Sequence, residues 1–125
     1  MQNFDPRIIF DISSSDFIVE PTPKYIERRG YIYLIADTAF PHHIKIGRTS
    51  NFQKRLSVYN ESKPYPTTKP ICISKLFSDV ILVETKILEY LYQQTLPTTF
   101  RKEWFEIQHE ELCILAIEEA ESFFS

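Results

Sequence analysis

Gly30-Tyr31-Ile32-Tyr33-Leu34-Ile35 and, across a short loop, Ile44-Lys45-Ile46-Gly47-Arg48-Thr49 decide the fold. Both runs are rich in β-branched and aromatic residues, and the loop between them carries Asp37, Pro41, His42 and His43, which predicts an antiparallel hairpin. Side chains alternate along a strand, so Tyr31, Tyr33 and Ile35 share one face of the first run, and Ile32 and Leu34 share the other. In the second run Lys45 and Gly47 oppose Ile44 and Ile46. If the aliphatic sets meet in one core layer, Tyr33 and Lys45 come together on the opposite face of the hairpin.

Working outward, Ser50 with Gln53 reads as a capping box and predicts a helix over residues 51–60. Pro64, Pro66 and Pro70 make residues 61–70 a loop, and Pro70 to Phe77 alternates as a third strand. Asp79 is the expected N-cap of a helix reaching Gln94, with the apolar stripe Val80, Val83, Ile87 and Leu91. Leu96 to Thr99 reads as a turn, Trp104-Phe105 as an apolar anchor, and Glu110 to Phe124 as a final acidic helix. The expectation is an α+β fold, a three-stranded antiparallel sheet flanked by helices in the order β-β-α-β-α-α. Residues 1–28, punctuated by Ser13-Ser14-Ser15 and Pro21-Thr22-Pro23, read as an N-terminal extension, and 29–125 as the domain proper.

A chain of 125 residues, 43% hydrophobic, builds one core. The absence of a long apolar run or a signal-like start leads to the expectation of a cytoplasmic, intracellular protein that contacts no membrane. Cys72 and Cys113 have no ligand-like spacing and sit in apolar runs, so both are expected as buried free thiols. The net charge of -3 disfavours a general phosphate binder, but the charge is polarised. Lys45, Arg48, Lys54, Arg55, Lys63 and Lys69 crowd the middle, whereas acids fill residues 103–121.

A lysine beside a phenol favours the phenolate or takes its proton, so Lys45 near Tyr33 suggests a tuned base; the plainer alternative is a packing tyrosine and a solvated lysine. At about 100° per residue, Phe52, Leu56 and Tyr59 define the buried face of the first helix, with Arg55 at its margin. There Arg55 is placed to clamp a phosphate oxygen or to form a structural ion pair with Glu84. Glu84 falls inside the apolar arc of the second helix, about 40° from Val80. A carboxylate facing a core needs a partner, and Mg²⁺ or Mn²⁺ is one. An acid, a guanidinium, phenols and an ammonium that converge suit phosphodiester cleavage at a single metal ion.

Gly30-Tyr31-Ile32-Tyr33, Lys45-Ile46-Gly47-Arg48-Thr49, Arg55, Glu84 and Arg101-Lys102-Glu103-Trp104-Phe105 together resemble the GIY-YIG nuclease superfamily. The likeness is to its small phage- and virus-associated branch, in which the second motif reads Lys-Ile-Gly, and it covers about residues 30 to 107. The resemblance implies metal-dependent hydrolysis of DNA by a water at one divalent ion. It implies Tyr33 as general base, Lys45 in place of the second motif's tyrosine, Arg55 and Tyr59 on the phosphate, and Glu84 as the metal ligand. Tyr31, Arg48, Lys63 and Arg101 are the expected DNA contacts around that centre. With no room for a separate DNA-reading domain, target choice falls to DNA shape, an oligomer or a protein partner. The competing expectation is a catalytically silent nuclease-like module that binds nucleic acid or protein.

Overall fold

The computed structural model describes residues 28–95 and 103–124, so the expectations for most of the N-terminal extension, for the turn after the second helix and for Arg101 fall outside the described residues. The hairpin is present. Strand β1 (Tyr31–Asp37) pairs antiparallel with β2 (His43–Thr49), and their register sets Tyr33 opposite Gly47 and Ile35 opposite Lys45. On the other side of β1 lies β3 (Thr68–Ile73), also antiparallel.

The sheet departs from the three-strand expectation. Trp104–Glu106 forms a short strand, β4, against His43, Ile44 and Lys45, giving the order β3-β1-β2-β4. The Trp104-Phe105 anchor is therefore strand as well as anchor. Phe105 is buried between half-buried Trp104 and Glu106, a period-2 pattern too short to declare itself in sequence. Strand β3 also ends earlier than expected, at Ile73. Ser74 closes it, its Oγ accepting from Ile32 N at 2.8 Å while Phe77 reaches only an isolated bridge to Gly30. Pro70, which lacks an N–H, is accommodated because β3 is an edge strand, and the pairing shifts register between Leu34 and Ile35.

Among the described residues three helices accompany the sheet: α1 (Phe52–Asn60), α2 (Val80–Thr95) and α3 (Glu110–Phe124), the last preceded by a 3₁₀ turn over Ile107–His109. The cap of α1 is Asn51 rather than the expected Ser50, with Asn51 Oδ1 accepting from Lys54 N at 3.1 Å. Thr49 Oγ1 sets this start by accepting from Asn51 N at 3.1 Å. Asp79 caps α2 as expected, accepting from Leu82 N at 3.2 Å. Arg28, assigned to the extension by sequence, bonds Asp79 Oδ2 at 2.8 Å and accepts from Val80 N, tying the chain entering β1 to the start of α2.

Ile32, Leu34, Ile44 and Ile46 pack with Val80, Val83, Ile87 and Leu91 of α2 and Cys113, Ala116, Ile117 and Ala120 of α3 in one core. Cys113 is a buried free thiol, whose pKa burial, followed by the Glu110 charge, pushes up to about 12; Cys72 is free but only half-buried. Helix α1 covers the other face of β1 and β2, and its expected buried stripe is half-buried. No helix among the described residues is long and apolar enough to cross a membrane.

Asp37, at the end of β1, organises the long loop before β3. Its carboxylate accepts from Ala39 N at 2.9 Å, Thr68 Oγ1 at 2.9 Å and Lys63 Nζ at 3.1 Å. Burial opposes ionisation, but these donors and Thr67 outweigh it and hold the pKa at about 2, below its ordinary 3.8. A depressed carboxylate pKa contributes stability that is complete above about pH 4 and lost as pH falls towards 2. Asp37→Asn should therefore lose roughly 1–2 kcal/mol at pH 7, discounted for the partly open Lys63. Urea midpoints at pH 7 and pH 2.5 should converge between wild type and variant at the acid end.

Candidate active site

Beyond Lys45, strand β2 has no β4 residue opposite it, although Ile46 N still donates to Glu103 O at 2.9 Å. Around this open end of β2, side chains from both faces of the sheet converge. Tyr33, Lys45, Gly47, Arg48, Arg55, Tyr59, Glu84 and Glu103 line a cleft of about 240 Å³. All five residues expected to be catalytic are among them, although β1, β2, α1 and α2 each contribute separately.

Tyr33 is 3% exposed because its ring lies across Gly47 and under Phe52, with ring centroids 5.3 Å apart. A Cβ at Gly47 would overlap the Tyr33 ring and phenol oxygen. The chain's other glycine, Gly30, is also set by a close approach, since its Cβ would fall 2.7 Å from Thr49 O. Neither has a positive φ. Each glycine thus supplies absent volume rather than backbone freedom.

The phenol and the lysine are arranged in series. Lys45 Nζ donates to Tyr59 Oη at 2.8 Å, and Tyr59 Oη shares a hydrogen bond with Tyr33 Oη at 2.9 Å. The expected direct contact of Lys45 with Tyr33 is replaced by one through Tyr59, because α1 lays Tyr59 between them. Burial first, then the Tyr59 bond, pushes the Tyr33 pKa well above the ordinary tyrosine value, so Tyr33 is a neutral phenol at physiological pH. Lys45 also sits 3.7 Å from Glu103 Oε2 and over the Tyr59 and Trp104 rings, at 5.0 and 5.8 Å from their centroids.

Glu84 is buried on α2, as its helical phase requires, with 4% exposure. Its partner is Arg48, whose Nη1 donates to Glu84 Oε1 at 2.5 Å, and not the Arg55 envisaged as an ion-pair alternative. Desolvation raises the Glu84 pKa and the Arg48 charge partly offsets that. Among the described residues Glu84 Oε2 accepts no hydrogen bond, yet none of their side-chain oxygens is both buried and unpaired. Oε2 is therefore open to the cleft. Arg55 is exposed on α1 and its guanidinium makes no ion pair among the described residues, leaving its fork of donors directed at solvent or ligand.

Arg48, expected at the DNA, is also the partner of Glu84. Period-2 alternation does place Arg48 with Ile44 and Ile46 on the α2-facing side, a signal that foretells its meeting with Glu84. Glu103, part of the motif that carries the resemblance, could extend the site or be a solvated charge beside Trp104, and the pairing of β4 brings it to the cleft. Of the expected DNA contacts, Arg48 lines the cleft; Tyr31 and Lys63 do not, and Lys63 is engaged by Asp37, Thr67 and Thr68. His42 is exposed and His43 half-buried at the base of the hairpin loop, and no group of three or more His, Cys, Asp or Glu able to hold a metal occurs among the described residues. Glu84 and Glu103 are the carboxylates of the cleft. That donor set fits a hard ion that completes its shell with waters and phosphate oxygens, and not a closed protein cage.

The T5orf172 domain family matches residues 30–119 of the chain. No curated protein and no solved structure matches it.

Gly47→Ala should destabilise the protein by roughly 1–3 kcal/mol through overpacking against Tyr33. In urea unfolding, the double variant with Tyr33→Leu should lose clearly less than the sum of the two single variants.

Proposed function

The chain belongs to the T5orf172 domain family, a phage-associated family of nuclease-like type, and from that premise we propose that it is a metal-dependent DNA endonuclease. The observation that carries the reading is the convergence, in one cleft, of the buried Glu84, the exposed Arg55 and the hydrogen-bonded series Lys45, Tyr59, Tyr33. A structural role would ask for one or two of these, whereas hydrolysis of a phosphodiester asks for all of them.

Glu84, through its open oxygen, would hold Mg²⁺ or Mn²⁺, and Glu103 is the other carboxylate lining the same cleft. The ion supplies positive charge against the phosphate oxygens and lowers the pKa of a bound water. Arg55 binds a non-bridging phosphate oxygen and offsets the charge that develops there. Tyr33 stays neutral in the resting site, so it serves as a relay. The attacking water's proton moves to Tyr33 Oη as the proton of Tyr33 moves to Tyr59 Oη and Tyr59 gives its own proton to solvent in the open cleft, while Lys45 Nζ, donating to Tyr59 Oη, holds that oxygen in place. This keeps Tyr33 as the group that meets the water and gives Lys45 its part through Tyr59.

One observation favours a silent binding module instead: Arg48 already satisfies Glu84, which removes the need for a metal partner. The two readings separate in a single assay. Supercoiled, linear, single-stranded and branched DNA are incubated with Mg²⁺, Mn²⁺ or EDTA, comparing wild type with Glu84→Ala and Tyr33→Phe. The nuclease reading expects metal-dependent cutting that falls by roughly 10²-fold or more in both variants while DNA is still retained. Absence of cutting by the wild type on every substrate, with DNA held equally well by Glu84→Ala, would select the binding module.

A further inference from the structure

The ion pair between Arg48 and Glu84 has no part in the proton relay or the phosphate clamp, and its two ends lie in very different surroundings. The Glu84 side chain is 6% exposed and that of Arg48 is 45% exposed. Arg48 makes no other side-chain hydrogen bond or ion pair among the described residues, so its remaining N–H donors face outward from the rim of the cleft. One guanidinium thus bridges the carboxylate proposed for the metal and the surface across which a phosphate must arrive. A planar fork of donors suits a phosphate oxygen pair as well as it suits a carboxylate.

The same contact weakens Glu84 as a ligand. A divalent ion approaching Oε2 meets a carboxylate whose charge is already offset, with a cation against its other oxygen in a poorly solvated corner. A phosphate anion drawn to the outward donors of Arg48 offsets that cation and releases the carboxylate's charge for the metal. Resting on the nuclease reading, we infer that Arg48 is a latch on Glu84 that makes divalent-ion binding conditional on a nucleic-acid phosphate in the cleft. Arg48 is then a positioning residue. By linkage, the metal must tighten DNA binding by the same factor by which DNA tightens metal binding. The free protein would hold little Mg²⁺, and DNA and ion would enter the site together.

The test is binding, not turnover. Free Mn²⁺ is titrated by its paramagnetic resonance signal against wild type, Arg48→Gln and Arg48→Lys, alone and with a short DNA oligonucleotide, under conditions in which the DNA stays intact. DNA should tighten Mn²⁺ binding to the wild type by at least about tenfold, and Arg48→Gln should bind Mn²⁺ without DNA at least about tenfold more tightly than wild type. Arg48→Lys, which keeps the charge, should remain close to wild type. Thermal unfolding should show Mn²⁺ alone raising the melting temperature of Arg48→Gln and not that of the wild type. Equal uptake by wild type and Arg48→Gln without DNA would overturn the latch and leave the nuclease reading standing. No uptake by any of the proteins, with or without DNA, would overturn the nuclease reading and the latch with it. Should Arg48→Gln fail to fold, a wild type that binds Mn²⁺ as tightly without DNA as with it would by itself overturn the latch.

Discussion

The Tyr33 ring lying across Gly47 is the contact on which the rest of the site depends. It exists because the β1–β2 register sets these two residues opposite each other, and because one of them has no side chain. With the ring laid over β2, its hydroxyl reaches Tyr59 on α1, and its face gives Phe52 a surface to pack on. A slip of one residue in that register would turn Tyr33 into the aliphatic layer and Ile32 or Leu34 out of it, so the hydrophobic core and the site are fixed by the same pairing.

Charge in the molecule follows the cleft more than the composition. The chain as a whole is acidic, at -3, yet the cleft is lined by Lys45, Arg48 and Arg55 against Glu84 and Glu103. A local excess of cations is enough to draw a phosphate over a short range, because at physiological salt the influence of distant surface acids fades within about 8 Å. The acids of α3 are carried on a helix whose apolar stripe lies in the core on the side of the sheet away from α1. Short edges serve the same end. β4 stops after three residues, and the open end of β2 that this leaves is where both faces of the sheet meet the cleft.

Much of this was legible in the chain because period and phase are local properties. Alternation in β1 and β2 put Tyr33 and Lys45 on one face, and helical phase put Glu84 inward and Arg55 at a margin. What was not legible depends on distance along the chain. Period alone leaves open which of two phenols an ammonium touches, and here the placement of α1 chose Tyr59. Arg48 was not foreseen against Glu84, for which a metal ion was expected and an ion pair with Arg55 was only the alternative, because Arg48 was weighed by its charge and not by its strand phase. β4 was missed because three residues carry too little pattern, and with it the pairing that settles Glu103 in the cleft. The Asn51 cap shows a smaller version of the same limit, since Ser50 satisfies the cap pattern equally well until Thr49 fixes the backbone.

The central claim is that one cleft brings a divalent ion on Glu84 and a phosphate on Arg55 to the same scissile bond. The most direct measurement is anomalous diffraction from crystals grown with Mn²⁺ and DNA. The account predicts one strong anomalous peak within coordination distance of both Glu84 and a DNA phosphate oxygen, with Arg55 bonded to that same phosphate. DNA bound across another face, or Mn²⁺ bound away from Glu84 while DNA occupies the cleft, would contradict it.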